Sequence, residues 1–510
     1  TDRRQNEVRF PTIRTTAIAE LTGNADLTAD QQWKSQIKRI ESADRVRPKV
    51  PKTLNAELRD YQVDGFKWMS RLAHLGAGAC LADDMGLGKT LQCLAVLLNR
   101  GKSGPALVVA PTSVAANWVS EIARFAPSLR PILFSDADRE TVVESLGKRD
   151  LLICSYGLLA NEAPKLQSRR WQTLVLDEAQ AIKNAETKRS EAAMGLEADF
   201  RIVLTGTPME NHLGELWNLF QFINPGLLGS SESFQERFAI PIERDHRRDV
   251  QRQLKQLIAP FILRRTKSQV LDELPPRTEI TVPIELGENE AAMYEAIRQK
   301  ALQNLEDSDD DRPMHIKILA ELMRLRRFCC HPDLVDPNAG LEAAKLERFT
   351  ETVTDLIAGG HKVLVFSQFV GHLQLLRERL DERKISYQYL DGSTPAKKRK
   401  TSVDAFQDGE GDVFLISLKA GGVGLNLTSA DYVIHMDPWW NPAVEDQASD
   451  RAHRMGQQRP VTVYRFITTG TIEERILKLH ESKRDLADSL LEGTESSAKL
   501  SAEELMKLIL

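Results

Sequence analysis

LADDMGLGKT, Leu81–Thr90, places a short apolar strand before a glycine turn, then Lys-Thr, then an apolar-periodic helix through Leu91, Leu94, Ala95 and Leu98. A phosphate-binding loop needs that order. Gly86 and Gly88 let backbone N–H groups close on phosphate oxygens, and the helix N-terminus adds its partial positive charge. In such a loop Asp84, Met85, Gly86, Leu87 and Gly88 line the phosphates of ATP, Lys89 reaches the β- and γ-phosphates, and Thr90 holds Mg²⁺. One residue departs from the strict pattern, which wants glycine where Asp83 stands. The bland alternative is a glycine turn with an incidental lysine.

TLVLDEAQ, Thr173–Gln180, bears on that alternative. Its uncharged run ends in Asp177 and Glu178, which puts both carboxylates at the C-terminal end of a strand. In α/β sheets that edge faces the ligand crevice. Asp177 is placed to hold Mg²⁺ and Glu178 to orient and deprotonate an attacking water. Two surface acids at a strand end would explain either residue alone, but not the pair together with the lysine loop.

Working outward, two blocks of short apolar runs alternate with helical patterns, which predicts an α/β fold with parallel sheets. The first holds GACLADDM, ALVVAPTS, DLLICSY, TLVLDE and RIVLTGTP; the second holds KVLVFSQF, YQYLDGS, DVFLISL, YVIHMDP and VTVYRFIT. The runs hardly alternate, as strands buried on both faces should not. The expected division is an N-terminal extension and linker (1–50), a first lobe (51–212), helical insertions and linker (213–344), a second lobe (345–475) and C-terminal helices (476–510). Amphipathic spacing around Trp33, Ile37 and Ile40 suggests an N-terminal helix. The acidic run Glu306–Asp311 reads as a solvated loop, and Thr471 with Glu474 and Ser501 with Glu504 match capping boxes.

Composition limits the classes. Hydrophobic residues make up 42% and charged residues 28%, as in a globular protein, and the net charge of -5 requires any nucleic-acid surface to be a local channel. The five cysteines form no CxxC pair, and Cys329, Cys330 and His331 are adjacent, which is poor geometry for one tetrahedral metal, so no structural zinc is expected. This cysteine usage suits a reduced, cytoplasmic compartment, and no apolar run of membrane length occurs. The chain begins at Thr1 and reads as a piece of something larger.

Taken in order, LRDYQVDGFKW (Leu58–Trp68), DDMGLGKT, PTSVAANW (Pro111–Trp118), DEAQAIKN (Asp177–Asn184), LTGTPMENHLGELWNL (Leu204–Leu219) and PFILRRTKSQVLDELPPR (Pro260–Arg277) resemble the Swi/Snf-type double-stranded DNA translocases of helicase superfamily two. VFSQF (Val365–Phe369), LDGST (Leu390–Thr394), SLKAGGVGLNL (Ser417–Leu427), DPWWNP (Asp437–Pro442) and DQASDRAHRMGQ (Asp446–Gln457) continue the match. Gln180 departs from it, since many members carry histidine there.

The resemblance implies two RecA-like lobes in tandem. It implies that Gln62 reads the adenine edge and that Thr205, Gly206 and Thr207 couple hydrolysis to DNA. Gln447, Arg451 and Arg454, at spacings of four and three, should share a helix face. Two arginines aimed one way suit a γ-phosphate, so hydrolysis would need both lobes. Gly421, Gly422 and Gly424 permit close backbone approach to phosphates. Thr112, Ser113, Ser155, Ser367 and Lys419 occupy positions that touch DNA phosphates in the family, although isolated Ser and Thr are ordinarily turn or cap residues. Trp440 is weighed equally as a DNA contact and as core, Trp439 as core.

The function expected is an ATPase that translocates on duplex DNA without separating strands, with a protein cargo such as a stalled RNA polymerase as one possibility. A strand-separating or RNA helicase is the alternative enzyme, and an inactive nucleic-acid scaffold the alternative outside enzymes. MGQQRPVTVYRFITTGTIEERI resembles bacterial members, which places such a motor in the cytoplasm at the nucleoid.

Overall fold

The runs of Val, Ile and Leu form the strands that their lack of alternation predicts. The computed structural model describes residues 46–478 apart from 210–211, 272, 307–313, 419 and 421–424, with the backbone of 2–4 and 7–9; the side chains of Ser113, Ala396 and Lys397 also lie outside it. Lys419, Gly421, Gly422 and Gly424, most of the acidic run, the Trp33–Ile40 pattern and the Ser501–Glu504 box therefore fall outside the described residues.

The chain divides into two units, Thr1–Val270 and Leu271–Leu510. In the first, β1 (Ala79–Leu81), β2 (Ala106–Ala110), β3 (Arg130–Leu133), β4 (Asp150–Ser155), β5 (Thr173–Asp177), β6 (Arg201–Leu204) and β7 (Ile262–Leu263) form one sheet. Their order is β7-β1-β6-β5-β2-β4-β3, and every pairing is parallel. β2 and β5 are buried along their whole length. Helices α1 (Asp60–Leu75), α2 (Lys89–Arg100) and α3 (Thr112–Phe125) enter and cross this sheet.

The second unit holds β8 (Arg277–Ile284), β9 (Val363–Ser367), β10 (Tyr387–Leu390), β11 (Val413–Ser417), β12 (Tyr432–His435) and β13 (Val461–Thr468), all parallel, in the order β8-β13-β12-β9-β11-β10. Alternate residues of β9 feed opposite cores. Val363 and Val365 pack with Phe349 and Leu373, whereas Leu364 and Phe366 pack with Phe406 and Ala448. Those partners lie on α7 (Ala344–Ala358) and α8 (Val370–Glu382) on one side, and on α9 (Ala396–Gln407) and α10 (Pro442–Ser449) on the other. The sheet is thus covered on both faces, as a parallel sheet must be.

The segment 213–344, expected to be helical, does supply helices: α4 (Leu213–Ile223) in the first unit, α5 (Glu288–Glu306) and α6 (Met314–Cys330) in the second. It also supplies edge strands, β7 to the first sheet and β8 to the second. α5 and α6 close a satellite core of Tyr294, Ile297, Leu322, Leu325 and Phe328 with Ile472 and Ile476. At Thr471–Glu474 the hydroxyl of Thr471 accepts from Glu473 N (3.2 Å) and the Glu474 carboxylate from Gly470 N (3.2 Å), which opens a helix at Ile472. No helix among the described residues is long and apolar enough to cross a membrane.

Candidate active site

The turn between β1 and α2 has the backbone that its glycines allow. Gly86 (φ 87°) and Gly88 (φ 73°) both sit in the left-handed region, which a side chain would strain. Lys89 opens α2, and its Nζ folds back onto the carbonyls of Asp83 (2.6 Å) and Asp84 (3.2 Å). Thr90 stands in the first turn of the same helix, and Leu87 is buried beneath the loop.

Asp83, the departure from the glycine pattern, has a physical explanation. It is fully buried, and Arg265 grips it with both branches, Nε to Oδ1 at 2.9 Å and Nη2 to Oδ2 at 2.6 Å. Gln92 of α2 donates to the same carboxylate at 3.2 Å and accepts from Arg265 at 2.9 Å. Arg265 also donates to the Tyr61 carbonyl and stacks on its ring. Nearby, Lys267 N donates to Asp84 Oδ2 (3.0 Å). The LRRTK segment therefore holds the root of the phosphate loop. Buried bidentate pairs of this kind fix geometry more than they add stability.

Gln62 is buried against this loop. Its Oε1 accepts from Arg59 N (3.0 Å), and its Nε2 donates to the Leu87 carbonyl (3.2 Å), which also accepts from the Tyr61 hydroxyl (3.1 Å). Here the amide braces the loop with both of its ends.

β5 delivers Asp177 and Glu178 side by side. The indole of Trp118, from PTSVAANW, donates to Asp177 Oδ2 (2.8 Å), and Glu178 N donates to Oδ1 (2.9 Å). Burial raises the Asp177 carboxyl above its ordinary range, opposed by the Trp118 hydrogen bond and the charge of Lys89. Glu178 has φ 49°, a left-handed conformation uncommon for a residue with a side chain. Strain of this kind persists where the surroundings impose it, commonly at functional sites. Gln180 donates to Glu178 Oε2 (2.9 Å), and its Oε1 accepts from Thr205 Oγ1 (3.4 Å), whose oxygen caps Thr207 N (3.1 Å). A side chain at Gly206 would start 3.2 Å from Met85 and 4.0 Å from Lys89 Nζ, so the Thr205–Thr207 turn lies against the phosphate loop. Gln180, singled out only as a departure, is the link from the acid to that turn.

Other candidates are placed differently. Ser155 caps a short helix by accepting from Leu158 N (3.2 Å), and Thr112 is exposed at the start of α3. Ser367 is fully buried; its Oγ donates to Asp437 Oδ1 (2.5 Å) and accepts from Phe369 N (3.1 Å). Trp439 packs on the core that holds Phe366, and its N donates to Glu445 (2.8 Å). Trp440 packs against the α5–α6 core, with the Arg326 guanidinium 4.8 Å from its ring.

The expected helix through Asp446–Gln457 is corrected by the structure, because α10 ends at Ser449. Arg451 and Arg454 lie in the turns that follow, so the helix-face spacing does not apply. Those turns are stitched to the preceding loop: Leu427 N donates to the Arg451 carbonyl (3.1 Å), and Gln457 Nε2 donates to the carbonyls of Thr428, Ala430 and Ala452. Arg451 is buried, and Arg454 Nη1 donates to the Leu425 carbonyl at 3.4 Å. Asp446 and Asp450 pair with Arg277.

Two tandem parallel-sheet units, with a lysine-bearing glycine loop and paired acids at a strand end, define a helicase-like ATPase. Comparison narrows the class. The SNF2-related domain matches residues 61–334 and the helicase conserved C-terminal domain residues 344–456, and the chain belongs to the SNF2 family. YwqA of Bacillus subtilis, named as an ATP-dependent helicase/translocase, is 41% identical over 94% of this chain and 54% of its own length. The Arabidopsis thaliana ISWI chromatin-remodeling complex ATPase CHR11 is 36% identical over 90% of this chain and 45% of its own. The chain thus spans about half the length of the curated relatives it matches. Among solved structures, it is similar to the Sulfolobus solfataricus SWI2/SNF2 ATPase core in complex with dsDNA, at 37% identity and a TM-score of 0.46, over 91% of this chain and 99% of that one.

Proposed function

We propose that this chain is a DNA-dependent ATPase that couples ATP hydrolysis to translocation on double-stranded DNA and remodels protein–DNA complexes without separating strands. The observation that carries the proposal is the hydrogen-bonded path Asp177–Glu178–Gln180–Thr205, whose last member opens the turn that lies against Lys89. Lys89 and the loop amides bind the β- and γ-phosphates of ATP. Glu178, held by Gln180 and by its own strained backbone, accepts a proton from the attacking water. Thr90 and Asp177 would hold Mg²⁺, which supplies charge neutralisation at the phosphates; a carboxylate buried as Asp177 is fits such a cation. Gln62 faces the adenine after exchanging its present partners, and Arg451 and Arg454 serve the γ-phosphate. Because Gln180 joins the base to the Thr205–Thr207 turn, a DNA contact that shifts this turn reaches the water-activating group directly.

The helicase/translocase name of the Bacillus relative supports ATP-driven translocation, and the chromatin-remodeling name of the plant relative supports remodelling of protein–DNA complexes. The test is ATP turnover with duplex DNA, single-stranded DNA and RNA, beside triplex displacement and strand unwinding. Stimulation by duplex DNA with triplex displacement and no unwinding is expected, and stimulation should fall steeply with salt as phosphate contacts release counterions. Efficient unwinding, or a preference for RNA, would place the chain among strand-separating helicases instead.

A further inference from the structure

Cys330, His372 and Asp437 stand far apart in the sequence and together in the second unit. Each offers one ligand atom (Sγ, a ring nitrogen, a carboxylate oxygen), and these atoms all lie within 4.8 Å of one another, with all three residues buried. Cys330 ends α6, His372 lies in the first turn of α8, and Asp437 follows β12, so three separate elements meet at the C-terminal edge of the sheet.

His372 is the informative member. It is fully buried, and neither ring nitrogen has a hydrogen-bond partner among the described residues. Buried polar groups are normally hydrogen-bonded, so an imidazole left this way beside a thiol and a carboxylate points to a missing ligand. Asp437 is already oriented by Ser367 Oγ and by Gln368 N (3.2 Å), the outer hydrogen bonds that position metal ligands.

We propose that Cys330 Sγ, His372 and Asp437 bind one zinc ion, with a fourth position left to water. A sulfur–nitrogen–oxygen donor set suits zinc, and ligand bonds of about 2.0–2.3 Å bring tetrahedral donors to roughly 3.3–3.6 Å apart, a modest tightening of the observed cluster. On binding, the S–Zn bond forms as the Cys330 proton leaves to solvent. Thiolate and carboxylate match the charge of the ion itself, and the Arg326 guanidinium beside Asp437 adds one positive charge to the site. Arg326, whose Nη2 lies 4.0 Å from Asp437 Oδ2, keeps its donation to the Pro438 carbonyl, and Lys345 keeps its pairing with Glu473. The ion would pin the Asp437–Pro442 loop to α6 and α8. In the sequence Cys330 neighbours Cys329 and His331, whereas the fold brings it to His372 of α8.

The chain, produced in zinc-supplemented medium and purified without chelators, should carry about one zinc by elemental analysis, the occupancy of a single site. Produced with cobalt, it should show a thiolate-to-cobalt charge-transfer band in the near ultraviolet. Cys330→Ser and His372→Gln, checked for folding by circular dichroism, should lose the zinc, and Cys330→Ser the band. Wild-type chain free of zinc and without the band would overturn the proposal. So would zinc that persists in both folded variants, since the ion would then lie elsewhere. The cobalt spectrum of the wild type decides the matter even where a variant does not fold.

Discussion

In the first unit, β6 lies between the strand that enters the phosphate loop, β1, and the strand that ends at Asp177, β5; in the second unit, β12, which leads to Asp437, is the direct neighbour of β9. Strands lie about 4.8 Å apart, so the first arrangement sets loop and acid roughly 10 Å apart across the sheet. That gap is occupied by the Thr205–Thr207 turn, which lies against Met85 and Lys89. In the second unit the acid reaches the turn after β9 directly: Asp437 accepts from Ser367 Oγ and Gln368 N. No left-handed glycine stands in Ser367–Phe369, whereas Gly86 and Gly88 supply two in the first. The same parallel architecture thus keeps loop and acid apart where a strand is interposed, and lets the acid hydrogen-bond the facing turn where it is not.

If the second unit contributes charge to hydrolysis and not a nucleotide pocket of its own, Arg454→Ala should leave ATP binding intact and lower DNA-stimulated turnover by about 10³. Parallel nucleotide titrations and steady-state rates check it; loss of ATP binding would mean that the residue supports the pocket itself. Next comes the root of the phosphate loop. Arg265→Met leaves Asp83 buried without its bidentate partner and should destabilise the chain by about 3–5 kcal/mol in urea unfolding. Adding Asp83→Leu should recover much of that loss, because the orphaned charge goes with it; simple additivity would show that the pair does not interact.

A smaller effect is expected at the link. Gln180→Ala removes a hydrogen bond to a carboxylate and should slow stimulated turnover about tenfold, with little change in unfolding midpoint. Gln180→His, the residue of many family members, should retain most of the rate. Smallest of all, Ser367→Ala should cost about 1 kcal/mol of stability and leave the salt dependence of DNA binding unchanged, since the hydroxyl is buried on Asp437. A shallower salt slope would return Ser367 to the track.

The two crevices were not equally legible. Gly86, Gly88, Lys89, Asp177 and Glu178 are local: each acts through its own turn or strand end, so motif and hydropathy sufficed. Asp83 was an anomaly because its partner, Arg265, lies 182 residues away in sequence. β8 escaped notice because as an edge strand it is mostly exposed and lacks the apolar run of the buried strands. The helix expected through Arg451 and Arg454 stops at Ser449, where contacts of Gln457 to the preceding loop prevail over spacing. Cys330, His372 and Asp437 carry no joint signal at all, since only tertiary folding brings them together.

In the proposed function, hydrolysis depends on the acid at the end of β5 and is driven by duplex DNA. That dependence is tested most directly by comparing wild type and Glu178→Gln for ATP affinity and for turnover with saturating duplex DNA. Near-equal affinity with turnover lowered about a hundredfold or more is the result expected when a general base is removed and its shape kept. A variant that hydrolyses ATP at close to the wild-type rate would contradict the account.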